Sequence, residues 1–236
     1  MRRLFNPNNL QGKEFDMLTK FWKEYGKLFD AEDYYNLRHN LLRGYEVSGV
    51  PLKFLSIYSY LNILETNRDI YAWFLSFLRT YYHDFLDKNI LEVSCGKVPA
   101  LVKMIADAID KKNSEGTITG IDSALVIKCI PNATLLKESL TNKTDLSPYN
   151  TIIGVAPCEA APIAIKGACI NKKELSLVLC GCIHMDGECF YPTYEKYLNH
   201  LYNIVKYHIS SDFEYDISAV PKCYNYEYPV LSLKRK

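Results

Sequence analysis

The chain reads Asn89-Ile-Leu-Glu-Val-Ser-Cys-Gly-Lys-Val-Pro-Ala-Leu101 at the point that decides its fold. A strand that is buried on both faces of a parallel sheet is mostly apolar, and Ile90, Leu91 and Val93 indicate such a strand over residues 89–93. Gly96 then supplies a residue without a β-carbon, which a turn needs wherever backbone approaches a ligand closely. Apolar residues at helical spacing follow, with Pro99 in the first turn. Strand, tight turn and helix in this order predict an α/β domain that binds a nucleotide cofactor.

A second short strand, Gly116-Thr-Ile-Thr-Gly-Ile-Asp122, follows after a crossover of the length that a βαβ unit requires, and it ends in an acid. Here the sequence resembles the class I S-adenosylmethionine-dependent methyltransferases. The first motif of that family is an acid, an apolar residue and a glycine-rich turn, which matches the segment from Glu92 to Gly96. Its second strand ends in a ribose-binding acid, which matches Asp122. The resemblance covers residues 89–236 and implies S-adenosylmethionine as the cofactor.

The rest of the chain keeps the alternation of strands and helices. We predict strands over 150–156 and 175–181, helices over 160–170 and 194–208, and two closing strands over 213–220 and 228–234. The resemblance implies an α/β fold: a Rossmann-like seven-stranded, mostly parallel sheet with helices on both faces. In that family the last strand returns antiparallel, which separates this fold from that of a dinucleotide-binding dehydrogenase.

The turn after the first strand departs from the family pattern. Ser94 and Val98 stand where the family usually has glycine, and only Gly96 is retained. A β-branched valine rarely takes a positive φ, so we expect regular backbone at Val98. This departure keeps a second hypothesis open: a non-catalytic Rossmann-like module that has lost cofactor binding and serves binding or dimerisation.

The candidate site residues follow from the sheet, because ligands of open α/β sheets bind beyond the carboxyl ends of the strands. The candidates for cofactor binding are Glu92, Ser94, Cys95, Gly96, Asp122, Ser123, Ala156 and Pro157. A methyl group on a sulfonium is already activated, so the protein mainly positions the acceptor and, where necessary, removes a proton. Glu159 and His184 are the candidate catalytic bases, although a carboxylate at a helix start often only complements the helix dipole.

The cysteines raise two further hypotheses. Ala156-Pro157-Cys158, together with Cys182, resembles the paired cysteines of RNA 5-methylcytosine methyltransferases, but Val155 replaces that family's acid and its Thr-Cys-Ser signature is missing. A metal site is the second hypothesis. Its ligands would be Cys180, Cys182, His184 and Cys189. Their spacing matches no known zinc motif and buried cysteines behave as small hydrophobes, so no metal is expected.

Residues 1–88 form a separate region in our interpretation, a helical cap on the domain of residues 89–236. Two aromatic stripes at helical spacing, over 15–29 and 70–85, predict helices, and a third is expected between Pro51 and Leu64. We expect this cap to pack on the ligand-binding edge and select the acceptor, with a homodimer through the cap as a possibility. Four tyrosines are candidates to line a pocket: Tyr58, Tyr60, Tyr81 and Tyr82.

Composition limits the remaining choices. The net charge is +1 and basic residues are scattered, so neither nucleic acid nor an anionic membrane is an expected partner. Without an apolar signal segment we expect a cytoplasmic protein, whose eight cysteines are reduced thiols. The sequence therefore predicts a methyltransferase that acts on a small-molecule or protein acceptor. A related hypothesis is transfer of the cofactor's aminobutanoyl group, as in enzymes resembling nicotianamine synthase.

Overall fold

The computed structural model describes residues 12–41, 50–64, 69–180, 191–221 and 229–236, together with the backbone of 42–43, 185–186 and 189–190. Its helices are α1 (Lys13–Tyr25), α2 (Ala31–Arg43), α3 (Leu52–Tyr60), α4 (Ile70–Tyr81), α5 (Ala100–Lys112), α6 (Ala161–Ile170) and α7 (Tyr194–His208). Its strands are β1 (Asn89–Val93), β2 (Thr117–Ile121), β3 (Ala133–Leu136), β4 (Thr151–Val155), β5 (Glu174–Val178), β6 (Met185–Asp186), β7 (Cys189–Phe190), β8 (Phe213–Ser218) and β9 (Val230–Arg235).

Seven of these strands form one sheet in the order β3-β2-β1-β4-β5-β9-β8. Strands β1 to β5 run parallel, whereas β9 lies antiparallel between β5 and β8. The strand order reverses at β1 and β4, so the chain has a switch point at their carboxyl ends, where a crevice opens in such sheets. The predicted fold class, including the antiparallel final strand, is confirmed.

Alternating side chains divide the core into two layers, since successive strand residues point to opposite faces. On one face Ile90, Ile153 and Val178 pack with α5 and with the helices that precede β1. On the other face Leu91, Ile152 and Leu177 pack with α6 and α7. Helices therefore cover both faces, and the N-terminal helices share a continuous core with the sheet.

Close backbone packing explains one glycine of β2. A β-carbon on Gly120 would come within 2.6 Å of Val102 Cγ2 in α5. The absence of a side chain lets α5 lie directly over β2, which brings the N-terminus of α5 next to the end of β1. This contact fixes the turn between β1 and α5, where the predicted cofactor residues lie.

The N-terminal helices reach across the sheet as well as along its carboxyl edge. Tyr82, directly after α4, is 1% exposed, and its hydroxyl lies 2.6 Å from the carbonyl oxygen of Leu175 and 3.0 Å from that of Leu233. The segment after α4 therefore contacts β5 and β9 as well, and a cap on the ligand-binding edge stays a prediction. No helix among the residues that the structure describes is long and apolar enough to cross a membrane.

Besides the short strands β6 and β7, two described elements were missing from the sequence interpretation. Helix α2 is one. The aromatic stripe predicts a helix over 15–29, and the sequence analysis predicts no element over residues 31–43, which form α2. Strand β3 is the other; it lies at the sheet edge and is only partly buried. The stretch from Gly44 to Pro51, where the glycines indicate a loop, lies largely outside the described residues.

Candidate functional site

One cavity of about 600 Å³ opens at the carboxyl ends of β1, β2 and β4. Nine of the ten predicted site residues line it: Glu92, Ser94, Cys95, Gly96, Asp122, Ser123, Ala156, Pro157 and Glu159. The tenth, His184, lies outside the described residues. A volume in this range, roughly 300–1,000 Å³, is usual for small-molecule sites. The structure thus brings together residues that the sequence separates by more than sixty positions; their roles stay predictions.

The turn after β1 is held in an unusual backbone conformation. Ser94 has φ 52° and Gly96 has φ 77°, both in the left-handed region that disfavours side chains. A β-carbon on Gly96 would meet no atom of the described residues within 4 Å, so these residues leave open space at this position. Val98 is absent from the residues with positive φ, as expected for a β-branched side chain. The turn therefore keeps a glycine-type conformation at Ser94 without a glycine.

The segment after β4 shows the same strain. Ala156 has φ 51° and Cys158 has φ 49°, and both residues line the cavity. Ser94 Oγ donates a hydrogen bond of 3.3 Å to the carbonyl oxygen of Pro157, which ties the two turns together. Non-glycine residues in this region of φ and ψ persist only where the surrounding structure imposes them, and they cluster at functional sites.

Asp122 joins the first turn to the end of β2. One carboxylate oxygen accepts the backbone N–H of Gly96 at 2.9 Å, and the other accepts that of Ala124 at 2.7 Å. A carboxylate offers about four lone-pair positions, so acceptor capacity toward ligand hydroxyls remains. Asp122 thus braces the turn whether or not it also binds ribose.

Glu92 is the most unusual charged residue of the cavity. It is 2% exposed, and its Oε2 has no hydrogen-bond partner among the described residues. Burial raises the pKa of this carboxyl from 4.5 to about 8; the N–H of Val102 in the first turn of α5 opposes the shift, and Asp122 adds to it. Burying an ionised carboxylate without a cation is costly, so the protonated form dominates at neutral pH.

The cysteine of the first turn is equally enclosed. Cys95 is 7% exposed, and burial, together with the neighbouring Glu92 and Asp122, raises the pKa of its thiol far above its ordinary value. A thiolate is therefore disfavoured here, and Cys95 can contribute shape but not nucleophilic sulfur. Its backbone N–H already donates to the carbonyl oxygen of Ile121 at 3.3 Å.

The N-terminal helices complete the cavity. The segment just before α2 contributes Phe29 and Asp30, and the first turn of α2 contributes Asp33. The other lining residues of this region are Leu52 to Phe54, Ser56 and Ile57 of α3 and Tyr71 of α4. Asp33 is held by Lys53, whose Nζ donates to Oδ1 at 2.8 Å and lies 5.0 Å from the centre of the Phe54 ring. Aromatic, apolar and charged groups therefore face the strand ends from the opposite side.

The tyrosines suggested by the sequence are not part of this lining. Tyr58 and Tyr82 are almost fully buried and hydrogen-bonded to backbone carbonyls, and neither Tyr60 nor Tyr81 contributes. Tyr71 lines the cavity instead. Helical periodicity locates the buried face of a helix, but it does not tell which buried ring borders a cavity.

Glu138 after β3 and Lys97 in the first turn also line the cavity and were missed. Lys97 Nζ donates to the carbonyl oxygen of Leu28 at 3.3 Å and lies 5.3 Å from the centre of the Phe29 ring. A strand at 133–136 would have indicated Glu138, because residues after parallel strands meet at this edge.

The metal hypothesis finds no support in the described part of the chain. No group of three or more ligating side chains is arranged there to hold an ion. Cys180 is buried, whereas Cys182, His184 and the side chain of Cys189 lie outside the described residues.

No protein-family model and no curated protein sequence matches the chain. Among solved structures, it is similar to the fibrillarin/Nop5p complex, with 13% identity, 72% of this chain and 83% of that chain covered, and a TM-score of 0.46. Magnesium protoporphyrin IX methyltransferase (ChlM) from Synechocystis PCC 6803 with bound SAH has 12% identity, 98% of each chain covered and a TM-score of 0.44. An rRNA methylase from Streptococcus thermophilus has 11% identity, 63% and 87% covered, and a TM-score of 0.40. On its own strand order, the chain has the Rossmann-like fold of the class I methyltransferases that its sequence resembles.

Proposed function

We propose that the chain is an S-adenosylmethionine-dependent methyltransferase that acts on a small-molecule or protein acceptor. The observation that carries the proposal is the convergence of Glu92, Gly96 and Asp122 with the segment after β4 on one cavity at the switch point of the sheet. The cofactor, when bound, supplies an electrophilic methyl group on a positively charged sulfur.

The residues present fit such a cofactor. Glu92 Oε2 is a buried acceptor without a partner among the described residues, and a cationic amino-acid group is a suitable donor for it. Asp122 retains lone pairs for ribose hydroxyls, and the open space around Gly96 admits a ligand close to the backbone. We assign Ser94, Cys95, Ser123, Ala156 and Pro157 to the walls of the same subsite.

The acceptor would enter between the strand ends and the N-terminal helices. Phe29, Phe54, Ile57 and Tyr71 offer apolar and aromatic surface there. Glu159, which is exposed in the short turn before α6, is the described group best placed to take a proton from an acceptor. Enclosing the acceptor orients it toward the methyl group and excludes water. Because the methyl group is already activated, methyl transfer requires little more of the protein.

A non-catalytic module stays the second candidate, because one observation favours it. Both carboxylate oxygens of Asp122 already accept backbone N–H groups, so this residue has a structural role without any ligand. In that case the N-terminal helices would serve an interaction such as homodimerisation.

Calorimetric titration with S-adenosylhomocysteine, the product of methyl transfer, separates the two candidates without knowledge of the acceptor. We expect micromolar binding to the intact chain. Asp122→Ala should weaken it by about 1.5–3 kcal/mol, the usual loss for a hydrogen bond to a charged group. Glu159→Gln is the matched control: it should leave this affinity unchanged while lowering turnover once an acceptor is found. Absence of binding at millimolar ligand would leave the non-catalytic module.

A further inference from the structure

We propose that the edge strand β8 binds an extended segment of another protein, in which basic and apolar side chains alternate, as an additional strand of the main sheet. The inference goes beyond the proposed function, because β8 lies at the edge of the sheet opposite β3 and none of its residues lines the cavity. Strand β8 combines outward-facing backbone groups, exposed apolar side chains and a charge pattern of one sign.

The backbone of β8 has one set of hydrogen-bonding groups directed away from the sheet. In an antiparallel pair, alternate residues of a strand bond to the partner, and the residues between them face the other way. The N–H of Lys236 donates to the carbonyl oxygen of Asp212 at 3.0 Å in the register of β8 and β9, so the even-numbered residues of β8 bond to β9. The N–H and C=O groups of Tyr215 and Ile217 therefore face outward, and they have no backbone partner among the described residues.

The length and regularity of β8 favour pairing at this edge. Edge strands that avoid pairing are commonly very short, or are interrupted by a bulge or a proline. Strand β8 has six residues, Phe213–Ser218, without proline, and all of them pair with β9 in continuous register. Tyr215 is 37% exposed and Ile217 is 42% exposed. A regular edge strand of this length with exposed apolar side chains is a template for another strand.

The charge pattern of β8 decides what kind of strand can pair with it. Glu214 and Asp216 are exposed and point to the face opposite that of Tyr215 and Ile217. Strand β9 already matches this pattern, since Lys234 stands opposite Glu214 and leucines stand opposite both apolar residues. A partner on the free edge therefore needs basic side chains opposite the two acids and apolar side chains opposite the other two residues, which makes each cross-strand pair favourable.

The same acids disfavour a second copy of this chain at the free edge. A closed two-fold pair of β8 strands is antiparallel, because each copy presents the same edge to the other. Centred on Tyr215, such a pair would place Glu214 opposite Asp216, and centred on either acid it would place that acid opposite itself. Like charges directly opposite each other destabilise a strand pair. The pattern thus admits a basic strand and repels a copy of β8.

A short synthetic peptide of alternating lysine and valine is the probe, and the same peptide with glutamate in place of lysine is its control. Fluorescence anisotropy of the labelled peptides with the intact chain measures binding. We expect the lysine peptide to bind about tenfold more tightly than the glutamate peptide, because two cross-strand charge pairs change sign. Asp216→Lys should narrow this preference. Asp107→Lys, which changes the net charge equally at an exposed position of α5, should leave it unchanged.

Hydrogen exchange separates the addition of a strand from attraction between charges alone. Bound lysine peptide should slow exchange of the outward N–H groups of Tyr215 and Ile217, whereas the N–H groups of Glu214 and Asp216, which face β9, should change little. A lysine peptide with methylated backbone nitrogens keeps its charges but cannot donate to β8, and we expect it to bind about tenfold more weakly.

Tyr215→Pro removes one outward N–H and leaves the hydrogen bonds to β9 intact, because proline is tolerated where the N–H of an edge strand faces away from the sheet. It should bind the lysine peptide more weakly than Tyr215→Ala, which keeps that N–H. Equal binding of the lysine and glutamate peptides, no binding at millimolar peptide, or binding without slower exchange at Tyr215 and Ile217 would each overturn the inference. A dimer of the unmodified chain that Tyr215→Pro converts to a monomer would also overturn it, because a second copy would then occupy the edge.

Discussion

The left-handed residues around the cavity carry a measurable conformational cost. Ala156 has φ 51° and no side-chain polar group, so its strain can be tested without removing a hydrogen bond. We expect Ala156→Gly to raise the free energy of unfolding by up to about 1 kcal/mol, because glycine populates positive φ as readily as negative. Chemical denaturation measures the change.

Ala160 provides the matched comparison for Ala156. It also lines the cavity, but its φ is −79°, an ordinary value. Ala160→Gly has no strain to release, so it should lower stability by roughly 0.5–1 kcal/mol. If both substitutions destabilise equally, positive φ at Ala156 stores no strain.

The buried carboxyl of Glu92 should make stability depend on pH in an uncommon direction. Its pKa is raised from 4.5 in the unfolded chain to about 8 in the folded one, so between these values the folded state binds more protons. The stability contribution of Glu92 is therefore complete below about pH 4.5 and declines as the pH rises toward 8, with a slope of up to about 1.4 kcal/mol per pH unit. Denaturation of the ligand-free chain across this range, compared with Glu92→Gln, isolates the effect. The two curves should diverge as the pH rises, with Glu92→Gln the more stable at pH 8; parallel curves would show that Glu92 ionises freely in the folded state.

At the scale of elements, one hydroxyl joins the segment after α4 to two strands. Tyr82 Oη contacts Ser176 Oγ at 2.9 Å as well as the two strand carbonyls, and Ser176 Oγ lies 2.7 Å from Ser232 Oγ. Tyr82→Phe leaves these buried groups short of a partner, and we expect a loss of about 1–3 kcal/mol in the free energy of unfolding.

The neighbouring Tyr81 tests whether the hydroxyl of Tyr82 is responsible. Its ring is partly buried, and its hydroxyl makes no hydrogen bond to the described residues. Tyr81→Phe should therefore change stability by less than about 0.5 kcal/mol. A similar loss for both variants would assign the effect to general repacking of the aromatic rings.

The elements also show where the sequence was sufficient and where it was not. Apolar runs predicted β1, β2, β4 and β5 because these strands are buried on both faces. Strand β3 escaped because an edge strand needs no continuous apolar pattern. Helix α2 escaped because Leu37 and Leu41, although at helical spacing, stand in a mostly polar stretch whose preceding inner position is Asp33. At the site, strand ends predicted Glu92 and Asp122, whereas Asp33 and Tyr71 depend on how separate helices meet the sheet. Periodicity within one helix contains no information about that meeting.

At the scale of the whole molecule, the cavity belongs to both halves of the chain. Residues 29–33 and 52–57 lie opposite the turn of residues 92–96 across one space. Their shared core with the sheet suggests that a ligand in this space stabilises both sides together. Residues 1–88 and 89–236 would then be consecutive regions of the sequence that respond to the ligand as one cooperative unit.

Hydrogen exchange can measure this coupling. On addition of S-adenosylhomocysteine we expect slower amide exchange at 92–96 and 122–123 and also at 29–33 and 52–57, because a bound ligand suppresses local opening of every segment that encloses it. Strand β8, at the opposite edge of the sheet from β3, is the internal control and should not change. Protection restricted to 92–96 and 122–123 would mean that the N-terminal helices do not contact the cofactor. Their part of the cavity would then bind the acceptor alone. Equal protection on both sides would mean that the helices close over the cofactor itself, so that the acceptor must enter before the cavity is sealed or through a separate opening.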